Sequence, residues 1–310
     1  MPNRADNAGV TLRERAEFVV VWLLVRGLGI LPRSVARAIG AGIGWFAYRV
    51  LGRLRGIGMR NLEIAFPEKT VEEREAILRK VYRNLGWQIA EFCLMSGYTK
   101  EYADKFVRYE GLENYVVARR KGRGVLVLTG HLGAWELSSF YHSLAGMPMG
   151  MVIRRLDNRL VDEFVNRIRC LHGNRILHKD DFARGLLAAM HRGETVGILM
   201  DTNMTPPQGL FVPFFGVEAC TAAGMARIAM KTGAAVVPGF LLWEESEGKY
   251  VLRFGEELEL VKTGDVGADV VANTALFAAV TEAYVRAYPE QWLWLHRRWK
   301  TRPEGEGRIY

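Results

Sequence analysis

Two residues in the segment Gly130-His131-Leu132-Gly133-Ala134-Trp135-Glu136 have the chemistry of a catalytic pair: His131 and, five positions on, Glu136. Neutral imidazole, with a pKa of about 6.5, can accept a proton at physiological pH. A carboxylate bonded to one ring nitrogen would fix the tautomer, leave the other nitrogen as base and stabilise the imidazolium as it forms. No Gly-x-Ser-x-Gly elbow occurs in the chain. A base without a nucleophile of its own implies that the substrate brings one, a hydroxyl being the natural choice. Spacing alone leaves a structural histidine at a strand end as the alternative, because a histidine and an acid at this separation also arise by chance.

The surrounding elements decide whether the pair can meet. Val125-Leu126-Val127-Leu128 is short, apolar and partly β-branched, and it ends at Thr129-Gly130, which predicts a buried strand. After Gly133 the apolar positions Leu137, Phe140, Tyr141 and Leu144 recur at helical spacing. On one helix, positions five apart diverge by roughly 140° at about 100° per residue. His131 must therefore lie in the turn and Glu136 in the helix, with Gly130 and Gly133 giving the turn its freedom. Thr70, with Glu73 three residues on, predicts the N-cap of a helix over Val71–Met95. Further strands are expected at Gly150–Arg154, Asn174–His178, Thr195–Met200, Ala234–Trp243 and Tyr250–Phe254. Helices are expected at Gly133–Leu144, Asn158–Leu171, Asp180–Arg192, Thr221–Thr232 and Ala268–Ala287. The alternation predicts an α/β fold: a largely parallel, twisted sheet flanked by helices. In such sheets ligands bind beyond the carboxyl ends of strands, where His131, Arg154 and Asp201 would fall. An arginine pair such as Arg154-Arg155 is also a common surface ion pair, and an aspartate after a strand is often a turn or cap. The run Phe211-Val212-Pro213-Phe214-Phe215-Gly216 reads as a loop too apolar to stand in water, so it lines a core or an apolar substrate.

Composition narrows the class. The chain has 310 residues, 49% of them apolar, and a net charge of +8. Residues 1–60 hold ten arginines and three acids, a balance of +7, so the remaining residues carry only +1. The arginines interrupt apolar stretches, which favours an anionic membrane surface over nucleic acid as partner. Phe18–Leu31 is almost wholly apolar, but fourteen helical residues span roughly 21 Å, short of the ~30 Å hydrocarbon core. Val35–Leu54 carries Gly40-Ala41-Gly42-Ile43-Gly44, a small-residue face that would let two helices approach closely. Residues 1–60 are thus expected to form an apolar helical membrane-associating segment, and 61–310 the α/β domain. The segment either dips into one leaflet with its arginines at the headgroups or spans with its first helix; an ordinary packing pair is the alternative. It does not read as a cleaved signal peptide. Three dispersed cysteines argue against disulfides and a Cys-rich metal site, and the six histidines form no His-Glu-x-x-His pattern, so no zinc is implied. The C-terminal run from Pro289 to Lys300 mixes tryptophans with Arg297, Arg298 and Lys300. That mixture suits a headgroup boundary or a phosphorylated ligand, or else a packed terminal helix with a basic face.

The ordered set resembles the lysophospholipid acyltransferase superfamily, most of all the late lipid A acyltransferases of Gram-negative bacteria. It comprises the basic apolar start, Asn61-Leu62 with Phe66-Pro67-Glu68, His131-x4-Glu136, and Arg154 followed by Leu156-Asp157-Asn158. It continues with Asp201, Phe211–Gly216, Val237-Pro238 and Pro289–Arg298. The resemblance implies an inner-membrane enzyme, its site facing the cytoplasm, that uses no metal or organic cofactor. Such an enzyme moves a fatty acyl chain from acyl carrier protein onto a hydroxyl of a lipid A precursor, among membrane phospholipids. It implies His131 as base, Glu136 as its partner and Arg154 as a phosphate or transition-state contact. Asp201, Phe211, Pro213, Phe214, Phe215, Gly216, Arg297 and Arg298 are expected substrate contacts. The chain departs from many members at Ile153-Arg154-Arg155, where they have Tyr-Arg-Pro, and at Asp201-Thr202-Asn203, where they have Asp-Gln. Transfer is expected to be direct, without an acyl-enzyme, the oxyanion meeting amides near Gly133 or Arg154. Related enzymes that acylate mannosylated phosphatidylinositol, a membrane thioesterase using the same base on water, and a non-catalytic lipid-binding module are the alternatives.

Overall fold

A computed structural model describes residues 10–178 and 182–310. The chain opens with three helices, α1 (Leu12–Gly29), α2 (Arg33–Val50) and α3 (Gly52–Ala65), then the long α4 (Val71–Met95) and the single turn α5 (Lys100–Ala103). β1 (Val107–Glu110), α6 (Leu112–Arg120), β2 (Val125–Thr129), α7 (Trp135–Leu144), β3 (Gly150–Ile153), α8 (Arg159–Arg169) and β4 (Arg175–His178) follow. Next come α9 (Phe182–His191), β5 (Thr195–Leu199), β6 (Gly209–Phe214), β7 (Val217–Ala222), α10 (Gly224–Thr232), β8 (Ala235–Glu244), β9 (Lys249–Phe254) and α11 (Val266–Ala287).

Seven strands form one sheet in the order β1-β9-β8-β2-β5-β3-β4. Its pairings are parallel except β8 with β9. β2 is buried on both faces, as its continuous apolar run predicts. Val125 and Val127 pack into a core with α7, α6 and α4, while Leu126 and Leu128 face α9, α10 and α11. The two-residue period of the strand thus builds both layers. The expected capping box at Thr70 is present, with Glu73 returning to the Thr70 amide at 2.7 Å. The expected start of α9 at Asp180 lies outside the described residues.

Two expectations change. Phe211–Phe214 is not a loop but lies within β6, which pairs with β7 as a separate antiparallel hairpin, and Phe215 and Gly216 form its turn at positive φ. β1 and α6 have weak apolar patterns and were not foreseen. The C-terminal run is likewise no helix beyond the 3₁₀ turn Pro289–Gln291. Its Trp292, Trp294 and Trp299 are buried with Phe214, Phe215 and Phe66.

The small-residue face of α2 does bring two helices together. A Cβ on Gly40 would stand 2.2 Å from the Gly86 carbonyl oxygen of α4, and one on Gly44 2.1 Å from that of Tyr82, whereas Gly42 faces open space. Two arginines of this segment turn inward instead of meeting solvent. Arg33 pairs with buried Glu91 at 2.6 Å, and Tyr98 donates its hydroxyl to the same carboxylate. Arg37 lies between the rings of Trp87 and Trp243, 4.0 and 4.2 Å from their centroids. The opposite faces of α1 and α2 stay apolar and exposed, with Val20 66%, Leu23 57%, Trp45 60% and Phe46 60% accessible. Among the described residues only α11 is long and apolar enough to cross a membrane, and its Val270, Phe277, Ala278 and Val285 are buried in the core.

Candidate active site

His131 follows β2, and Asp201 follows the adjacent β5. The parallel register Thr129↔Leu199, extended by Met200 N–H to the Thr129 carbonyl at 3.0 Å, carries the two residues side by side beyond the carboxyl ends. His131 Nδ1 stands 2.9 Å from Asp201 Oδ1, and the His131 amide donates to Oδ2 at 2.6 Å. Trp292 Nε1 donates to the same oxygen at 2.8 Å. Three donors on a buried aspartate stabilise its ionised form. A carboxylate only accepts, so Nδ1 carries a proton, and in the neutral imidazole Nε2 is left with its lone pair. Burial raises the Asp201 pKa, but the charge and hydrogen bonds of His131 and the Trp292 donor outweigh it and hold the carboxyl below its usual range. Burial works against the His131 imidazolium. The charge and hydrogen bond of Asp201, with a smaller contribution from Glu136, overcome that and raise its pKa.

The carboxylate bonded to the imidazole is therefore Asp201, not Glu136. Glu136 sits in the first turn of α7 as expected, but it accepts a two-pronged contact from Arg169 of α8, at 2.5 and 2.8 Å. Planar guanidinium and carboxylate match atom for atom, which makes this geometry favourable. Nothing in the sequence marked Arg169, one arginine among several on α8. Trp292 lay in the quoted C-terminal run, without a sign that its indole would reach Asp201.

The other expected residues are dispersed. Arg154 is at the carboxyl end of β3, 80% exposed, and pairs with Asp157 at 3.1 Å. The amide of Gly133 is used by the Gln291 carbonyl and that of Ala134 by Leu241, so these two donors are occupied. Phe214 and Phe215 are core residues, Phe211 is half-buried, and Pro213 and Gly216 are exposed. Arg298 is buried. It donates to the carbonyls of Cys220 and Thr202 and to the Thr221 hydroxyl, tying β7 to the residue after Asp201. Burial lowers its pKa to about 10, yet it stays protonated at neutral pH. Arg297 borders an open cleft of about 780 Å³ with His296 and Asn203. Among the described residues no three His, Cys, Asp or Glu side chains are placed to hold a metal ion.

A narrow slot of about 60 Å³ runs from the His131 turn between α7 and the sheet. Thr129, Trp135 and Glu136 line the end nearest the base, and Val127, Met149, Leu252, Phe254 and His142 continue it inward. Gly197 and Gly239 on the strands leave it room. From Trp135 to His142 is seven residues, about 10 Å at 1.5 Å per residue.

Fold and site define an α/β protein with a hydrogen-bonded histidine–aspartate pair at the carboxyl end of a parallel sheet and an apolar slot beside it. The chain belongs to the bacterial lipid A biosynthesis acyltransferase family, whose model matches residues 10–301, and it is an acyltransferase. It is 31% identical to the lipid A biosynthesis palmitoleoyltransferase of Escherichia coli (strain K12), over 93% of this chain and 94% of the relative. It is 30% identical to the lauroyltransferase of the same organism, over 92% and 90%. A lipid A biosynthesis acyltransferase of Haemophilus influenzae is also 30% identical, over 92% and 90%.

Proposed function

We propose that the protein carries a fatty acyl chain from acyl carrier protein to a hydroxyl of a lipid A precursor, at the cytoplasmic face of the inner membrane. The observation that carries this reading is the His131–Asp201 dyad, with Nδ1 facing the carboxylate at 2.9 Å and an apolar slot at its side. His131 Nε2 takes the proton of the acceptor hydroxyl as its oxygen attacks the thioester carbonyl. Asp201 holds the tautomer and balances the imidazolium. Collapse of the tetrahedral intermediate expels the pantetheine thiolate, which recovers the proton from His131. Glu136 adds negative charge near the ring, and Arg169 fixes its position. The first-turn amides of α7, which have no intrahelical acceptor, are the donors this reading assigns to the oxyanion. Residues 1–60 hold the enzyme to the bilayer. The exposed apolar faces of α1 and α2 insert into one leaflet, each large side chain contributing up to about 1.5–3 kcal/mol. Arginines at the rim add about 1 kcal/mol each on an anionic surface.

The test is product analysis with the purified full chain in detergent micelles, acyl carrier protein thioester and a glucosamine-disaccharide lipid A precursor. An ester-linked acyl group on the precursor is expected, absent with His131→Ala. Free fatty acid as the sole product would make the protein a thioesterase, and acyl label on the protein would mean a covalent route. For the anchor, a variant carrying Val20→Glu, Leu23→Glu, Trp45→Glu and Phe46→Glu should stay folded and leave the membrane fraction. Persistent sedimentation with membranes would place the anchor elsewhere.

A further inference from the structure

The open cleft beside the dyad is walled by two unlike surfaces. One side is apolar: Val50, Leu51, Leu54 and Ile57, from the end of α2 and the first turns of α3. The other is the C-terminal loop, with Arg297 and Lys300, and Arg53 stands across from it. Among the described residues no aspartate or glutamate lines the cleft. Among the described residues these three cations have no carboxylate partner, in contrast to Arg13, Arg60, Arg79 and Arg159, each paired within its own helix. The floor is shared with the base. Leu293 N–H donates to the His131 carbonyl at 3.0 Å, and Asn203 N–H donates to His296 Nε2 at 2.9 Å, two residues beyond Asp201. The apolar wall continues into the exposed Trp45 and Phe46 of α2.

We propose that this cleft docks the anionic headgroup of the lipid acceptor, with Arg53, Arg297 and Lys300 gripping a phosphate while its acyl chains lie along Val50, Leu51, Leu54 and Ile57. The inference rests on the lipid-acceptor reading above and adds the subsite. Three cations lining one cleft without a counter-charge repel, and a multivalent anion relieves that repulsion. An acidic donor protein would meet the cations too, but it has no use for an apolar wall that leads to the bilayer. At about 780 Å³ the cleft has room for a bulky headgroup, whereas the slot of about 60 Å³ does not. The two substrates therefore approach the base from different sides.

The experiment uses the full chain in phosphatidylcholine mixed micelles and compares wild type with Arg53→Gln/Arg297→Gln/Lys300→Gln. The variant should raise KM for a phosphorylated disaccharide acceptor about tenfold or more, equivalent to about 1.4 kcal/mol. KM for acyl carrier protein thioester should not move, and phosphatase-treated acceptor should make the two enzymes alike. Calorimetric titration with dodecyl phosphate, which needs no turnover, should show binding to wild type and about tenfold weaker binding to the variant. Dodecyl maltoside should not distinguish them, and millimolar inorganic phosphate should not displace dodecyl phosphate. The proposal is overturned if the variant binds dodecyl phosphate like wild type, or if only KM for the acyl carrier protein rises. It is also overturned if the variant merely leaves phosphatidylglycerol vesicles while acceptor KM stays put, or if inorganic phosphate alone competes. If no glucosamine lipid is acylated but the dodecyl phosphate difference holds, the acceptor assignment fails and the anionic subsite stands.

Discussion

Two histidines bracket the same slot and have opposite fates. His131, at the turn before α7, keeps a quarter of its side chain exposed and gives Nδ1 to an ionised Asp201. His142, near the end of α7, is fully buried and its Nδ1 shares a hydrogen bond with the hydroxyl of Tyr109 at 3.0 Å, with Tyr115 and Phe254 packed against its ring. Burial, helped by the charge of Arg119, lowers the His142 pKa to about 3, so it stays neutral. At His131 the same desolvation is outweighed by a carboxylate. Burial alone makes an imidazole inert; a buried anion in contact makes it a base.

The largest expected effect removes the contrast at its source. His131→Ala should lower kcat/KM for acyl transfer by about 10²–10⁴-fold, the range a general base supplies, in a protein with the melting temperature of wild type to within a few degrees. A folded His131→Ala enzyme with near-normal transfer would end the base assignment. Asp201→Asn comes next, and should approach the same loss because an amide can favour the wrong tautomer. Its pH profile sharpens the point. In wild type the raised His131 pKa places the acid limb of kcat/KM above pH 6.5. Without the carboxylate the limb should move to lower pH, and an unmoved limb would separate Asp201 from the titrating base. The pair also couples to folding. Asp201, held below its usual range, stabilises the native state above about pH 4 and less as pH falls through its folded pKa. His131, raised, contributes below about pH 6.5 and loses that contribution as pH rises through its folded pKa. Asp201→Asn should therefore flatten stability at both ends.

Glu136→Gln tests the second carboxylate. It breaks a charge-assisted pair with Arg169, worth about 1.5–3 kcal/mol where hydrogen bonds reach charged groups, and it leaves Nδ1 of His131 bonded. A smaller rate loss than Asp201→Asn is expected, with Arg169→Gln giving a similar one and the double variant adding little, as in a unit. If Glu136→Gln matched His131→Ala in rate while the fold held, Glu136 and not Asp201 would be the carboxylate that matters to the base.

The sequence made the scaffold legible where pattern and structure obey one rule. β2, α4 and the glycine face of α2 follow from apolar period, a capping box and small residues in a row. The strand-to-helix turn also placed His131 correctly. Its partner escaped because short-range spacing points to Glu136, whereas Asp201 is seventy residues away and adjacent only through a parallel strand pairing. Residues 211–216 misled for a related reason. Three phenylalanines near a proline suit an antiparallel hairpin clamped by distant tryptophans as well as a loop. Arg297 and Arg298 are neighbours in sequence, yet one faces a cleft and the other is buried among carbonyls of β7, a distinction set by tertiary contacts alone.

The smallest effect on rate, and the largest on selectivity, should come from His142. Among the described residues its Nε2 has no hydrogen-bond partner, and it lines the part of the slot remote from His131. His142→Leu removes that unsatisfied nitrogen but leaves the Tyr109 hydroxyl unpaired, a cost of about 1–3 kcal/mol that the first change offsets in part. Turnover with the best donor should then change by less than about tenfold, under 1.4 kcal/mol in the barrier, because the dyad is untouched. His142→Ala instead opens space along the slot, so the profile over a series of acyl carrier protein thioesters should shift toward longer chains, while His142→Phe should shift it toward shorter ones. Opposite shifts from the two substitutions at a constant pH profile would fix the slot as the donor chain's site. A profile that ignores both, with a Tm that responds to each, would leave His142 as a core residue only and send the acyl chain elsewhere.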